Sequence, residues 1–79
     1  MKIHRIIRSY DRVTEKLIGE AELVDMPLDL LRKIFHVEGD DPMYECYPVG
    51  QKELSEMQPY IRGALPMGGN LILDCDAVE

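Results

Sequence analysis

The sequence predicts an α+β domain of order β-β-α-β-α-β, with one mostly antiparallel four-stranded sheet and both helices packed on one of its faces. Three observations carry that prediction. Residues 16–24, KLIGEAELV, alternate side chains as a half-buried strand does. Residues 25–39 repeat apolar positions at helical spacing, between recognisable start and stop residues. Residues 70–77, NLILDCDA, alternate again at the far end of the chain.

The first strand is predicted over residues 2–10, KIHRIIRSY, from its β-branched content and length, although its alternation is imperfect. DRVTE follows as a connection in which Asp11 and Thr14 are the turn formers. In the second strand Leu17, Gly19, Ala21 and Leu23 share one face, and Glu20 and Glu22 the other. The two strands form an N-terminal hairpin in which Arg5 and Arg8 face Glu20 and Glu22, an arrangement that mildly stabilises a ladder.

The first helix spans residues 25–39. Asp25 is the expected cap, Pro27 suits a first turn, Asp29 lies near the positive end of the dipole, and Arg32 and Lys33 near the negative end. Leu28, Leu31 and Phe35 recur along one side, broadened by Leu30 and Ile34, and Gly39 is the expected stop. A third strand follows at residues 43–49, with Met43, Glu45, Tyr47 and Val49 on one face and Tyr44, Cys46 and Pro48 on the other. Pro48 places it at an edge or at the strand's end. The second helix covers residues 50–61, with Leu54, Met57 and Ile61 together and Pro59 ending or kinking it. Residues 62–70 form a loop marked by Pro66, Gly68, Gly69 and Asn70. In the last strand Leu71, Leu73 and Cys75 share one face, and Ile72, Asp74 and Asp76 the other.

Seventy-nine residues, 46% of them apolar, allow one domain of modest stability with a core of Leu, Ile, Val and Met. Two distant cysteines, Cys46 and Cys75, do not make a disulfide framework, and no apolar run reaches membrane-span length. The expectation is a soluble protein of the reducing cytoplasm with free thiols and no membrane association, a Cys46–Cys75 bridge remaining open should the strands that carry them pair. Residues 1–37 hold seven basic and six acidic side chains; residues 38–79 hold two and nine. That asymmetry speaks against nucleic acid, which needs a basic stripe, and for a basic protein partner or simple solubility.

The segments RSYDRVTEKLIGEAEL and DDPMYECYP resemble a group of small bacterial proteins of unknown function. Their pattern places Y-D, a Thr and L-x-G-E on a hairpin, then a Leu-rich helix and D-P-M-Y-x-C-Y-P. The matching residues are Tyr10, Asp11, Thr14, Leu17, Gly19, Glu20, Asp41, Pro42, Met43, Tyr44, Cys46, Tyr47 and Pro48. The resemblance covers most of the chain, and its motifs are structural rather than catalytic. Such proteins often sit beside polymorphic toxins, so the resemblance implies an immunity-like role.

Catalytic and metal chemistries find little in the residues. His4, His36, Cys46 and Cys75 come from four separate elements, unlike the close pairs of a zinc site. Glu38, Asp40 and Asp41 lack the rest of a calcium loop. Ser9 and Ser55 lie on no nucleophile elbow, and acids around Cys46 would raise its thiol pKa. Asp74 and Asp76, about 7 Å apart along a strand, could serve acid–base chemistry or simply be solvated. No cofactor or metal is expected. The residues favour a non-enzymatic binding module whose surface comprises Asp40, Asp41, Tyr44, Glu45, Tyr47, Asp74 and Asp76, with a basic toxin or enzyme domain as partner. The alternatives are a small homodimeric structural or regulatory domain and, more remotely, a hydrolase using Asp74 and Asp76.

Overall fold

The structure, a computed structural model, describes residues 2–65 and 69–78. Strands β1 (Lys2–Tyr10), β2 (Leu17–Leu23), β3 (Tyr47–Val49), β4 (Ile61–Arg62) and β5 (Asn70–Val78) form one sheet in the order β3-β5-β1-β2-β4. Every neighbouring pair is antiparallel. The sheet therefore has five strands rather than the four expected, and β1 is its centre. Helices α1 (Leu28–Ile34) and α2 (Gln51–Met57) cover one face. There Leu31, Ile34 and Met57 close a core with Ile7, Leu23, Val49, Leu73 and Met43.

The N-terminal hairpin forms because Ile7, Ala21 and Leu23 bury together on one face of the pair and the turn makes its own bonds. The Asp11 carboxylate accepts the backbone N–H groups of Val13 (2.8 Å) and Thr14 (2.9 Å), an Asx-type turn. Those two bonds hold the Asp11 carboxyl below its usual range. Arg8 pairs directly with Glu20, as the alternation implies. Arg5 does not face an acid: its partner is Leu23, on the helix-covered side. The reason is the period of two, which puts Arg5 and Arg8 on opposite faces.

Four other expectations need correcting. Helix α1 starts at Leu28 with Pro27 in the cap position and no side-chain cap, while Asp25 stands two residues earlier at φ +57°. Its end comes before Gly39: Val37 N–H bonds Arg32 O, and His36 N–H bonds Lys33 O, with His36 at φ +56°. That is a Schellman closure with histidine in the place glycine usually takes. The third strand keeps only Tyr47–Val49. Asp41 takes the N–H of Met43 at 2.8 Å, and Met43 lies at φ +56° with its side chain 1% exposed. Met43 thus reaches the core from a turn instead of a ladder. Finally, α2 stops at Met57 rather than residue 61, tightening as Pro59 implies into a 3-10 turn, Gln58–Tyr60. The two-residue β4 follows, beside Glu22 and Leu23. The expected turn residues Pro66 and Gly68 lie outside the described residues. Gly69 is required by a close approach: a Cβ there would meet Ser9 Oγ and Tyr10 O.

Candidate acidic surface around Arg8

The sheet face opposite the helices carries an ion-pair cluster built from its three central strands. Arg8, on β1, meets Glu20 across the β1–β2 ladder, Nε donating to Oε2 at 3.0 Å. On the other side its direct neighbour is Ile72, so the guanidinium extends along β5 to the two carboxylates beyond. Nη1 donates to Asp74 Oδ2 at 2.8 Å and Nη2 to Asp76 Oδ2 at 2.7 Å. One cation is thus shared by three carboxylates, and the bonds to Asp76, Asp74 and Glu20 push the Arg8 pKa upward. At the other end of the face His4 Nδ1 lies 3.1 Å from Glu22, which pairs in register with Arg62.

Cys46 connects this cluster to the loop before β3. Its thiol donates to Asp74 Oδ1 at 2.8 Å. That bond to a carboxylate, with burial, raises the Cys46 pKa, so the thiolate that nucleophilic chemistry needs is disfavoured. The same bond, followed by Arg8, lowers the Asp74 pKa. A carboxyl held low and committed to a guanidinium is a poor proton donor near neutral pH. The geometry gives Asp74 and Asp76 the role of ion-pair partners.

The loop itself is fastened from the covered side. Arg5 Nη2 donates to Pro42 O at 2.7 Å, and Arg32 Nε donates to Asp41 O at 2.7 Å. Asp40, Tyr44 and Glu45 project into solvent, Tyr44 at 55% exposure. Asp41 is also exposed, but its carboxylate is engaged in the turn at Met43. Tyr47 belongs to a different environment. It is half-buried against Phe35, ring centroids 5.7 Å apart. Burial, then the nearby charges of Asp41 and Glu45, raise its pKa.

Of the seven residues expected at a partner surface, the structure gathers Asp74 and Asp76 on the open face and Asp40, Tyr44 and Glu45 on the loop. It assigns Tyr47 to packing and Asp41 to the turn. Sequence reasoning missed Arg8 as the hub, because its two β5 partners depend on β5 lying beside β1. No local signal announces the Cys46–Asp74 bond. Ser9, which lies on no nucleophile elbow, is fully enclosed. Cys46 and Cys75 are both free. Cys75 pairs in register with Arg5 on the covered side, away from Cys46. Among the described residues no three His, Cys, Asp or Glu side chains are grouped to hold a metal, and no helix is long and apolar enough to cross a membrane.

A family model described as a domain of unknown function, DUF7683, matches residues 4–65. Because that span is more than half of the chain, the protein belongs to this family. The match includes Arg8, Glu20 and the whole loop, and ends before β5. No curated protein and no solved structure matches the chain.

Proposed function

We propose that this member of the family is a non-catalytic protein-binding module whose open sheet face and adjoining loop take a basic protein partner. The observation that carries the reading is the composition of the Arg8 cluster. Three carboxylates converge on one guanidinium and leave an excess of negative charge fixed in place before any partner arrives. Preorganised acids lose little freedom on binding and steer a basic partner toward the face. The exposed Asp40, Tyr44 and Glu45 extend that surface, with Tyr44 as an aromatic anchor beside acids. The resemblance to small bacterial proteins found beside toxins makes a toxin the partner of choice, and masking its active site the function.

An acid–base hydrolase using Asp74 and Asp76 is the weaker reading, since Arg8 and Cys46 occupy their oxygens. Pairing of sheet edges in a homodimer is also poorly served by outer strands of three and two residues, one of them containing Pro48. The test is co-expression with the product of the adjacent reading frame. The proposal expects a stable complex and loss of the toxic activity. Recovery of a homodimer alone, or turnover abolished by Asp74→Asn, would overturn it.

A further inference from the structure

The helical side holds a second concave surface that the acidic-face reading does not use. A shallow groove of about 360 Å³ lies between α1 and α2, lined by Leu30, Lys33, Ile34, His36, Lys52 and Glu56. Its volume is within the range of small-molecule sites. The apolar part comes from Leu30 and Ile34, on consecutive turns of α1. Its rim carries two exposed ammonium groups, Lys33 and Lys52, and among the described residues neither has an ion-pair partner. Lys52 is one of only two basic side chains after residue 37. With Glu56 as the single acid, the groove is net positive in a chain of net charge −6.

We infer that this groove binds a small amphipathic carboxylate, its alkyl chain on Leu30 and Ile34 and its headgroup between Lys33 and Lys52. Charge complementarity selects an anion, since two unpaired lysines border the apolar floor. The size of the groove and the chain's overall negative charge select a small one. A large acidic partner would also meet the carboxylates of the acidic loop, whereas a single carboxylate on a short alkyl chain would not. Lys33 also complements the C-terminal dipole of α1, which explains one lysine but leaves Lys52, on the first turn of α2, unexplained.

The test is a titration of the full chain with sodium octanoate, sodium hexanoate and octan-1-ol, followed by two-dimensional NMR. Octanoate is expected to give saturable shifts at Leu30, Lys33, Ile34 and Lys52. Two fewer methylenes should weaken binding by about fourfold to tenfold, each buried methylene being worth up to roughly fourfold. Octanol should bind roughly threefold to tenfold more weakly than octanoate, and the double variant Lys33→Gln/Lys52→Gln should lose that preference. Both lysines are exposed, so the variant should fold as the parent does, which circular dichroism verifies. Equal binding of octanol and octanoate, unchanged binding in the variant, or no saturable shift in the groove would each overturn the inference. None of these outcomes bears on the acidic face.

Discussion

Replacing Arg8 with Met removes the cation on which three carboxylates depend, while keeping an unbranched side chain on the sheet. The Arg8 side chain is 20% exposed and Asp74 21%, whereas Asp76 and Glu20 are 43% and 50% exposed. Exposed ion pairs are worth about 0.2–1 kcal/mol, so Glu20 and Asp76 together contribute roughly 1 kcal/mol. The less exposed Asp74 pair, a charge-assisted bond at 2.8 Å, contributes about 1–2 kcal/mol. Arg8→Met should therefore cost roughly 2–3 kcal/mol at neutral pH and low salt. A domain of this length has about 4–12 kcal/mol in total, so the loss is large. Urea denaturation with linear extrapolation measures it, and a thermal scan should show a fall of roughly 10–20 °C. Arg8→Lys, which keeps the charge but not the fork, should cost about half as much. Below about pH 4 the difference between wild type and Arg8→Met should shrink, because Asp74, held low by Cys46 and Arg8, is protonated as pH falls through its folded value and then no longer pairs with the guanidinium in the wild type. A cost below about 0.5 kcal/mol, or one independent of pH, would refute the hub.

Three further outcomes follow from the same geometry. The Cys46 thiol should alkylate more slowly at pH 8 than a free cysteine in a peptide, and Asp74→Asn should accelerate it, because the carboxylate that raises its pKa is gone; mass spectrometry of the labelled residue reads this. Stability should fall at both ends of the pH scale. Asp74, held low, favours the folded state above its ordinary value of 3.8 and ceases to as pH falls through its folded value. Cys46 and Tyr47, held high, favour it below their ordinary values of 9.0 and 10.0 and lose that contribution as pH rises through their folded values. Last, His36→Gly should stabilise the protein by about 0.5–1 kcal/mol in urea denaturation. Relief of a left-handed backbone, worth about 1–2 kcal/mol, exceeds the entropy glycine adds to the unfolded chain.

How much of this was legible in the chain depends on the reach of each interaction. The hairpin was legible because its signal is local: alternation fixes the faces, and Asp11 turns the chain with its own side chain. Helix α1 was legible in its stripe and not in its ends. Glycine is the residue expected at a left-handed position, and His36 takes it first. The strand predicted from Met43 failed because Asp41 captures the N–H that a ladder would use. Strand β4 is two residues long, too short to carry a periodic pattern of its own. At the site, the side of the sheet on which Glu20, Asp74 and Asp76 lie was readable from a period of two. That they share one guanidinium was not, because residues 8 and 74–76 meet only through the strand order. The D-P-M-Y segment illustrates the same limit. Its acids suggested a contact surface, yet Asp41 shapes the turn and Met43 fills the core, which leaves Asp40, Tyr44 and Glu45 as the residues exposed to solvent.

The central claim is that fixed negative charge on the open face and its loop recruits a basic partner. The most direct measurement is the affinity of the purified chain for the protein encoded beside it, by calorimetry at roughly 0.05 and 0.3 M salt, where screening lengths differ more than twofold. Wild type is compared with the Asp40→Lys/Glu45→Lys variant, which leaves Asp41, Arg8 and their bonds intact. A salt-weakened association that charge reversal weakens at least tenfold is the result expected here. No association, or one indifferent to both salt and the reversed charges, would contradict it.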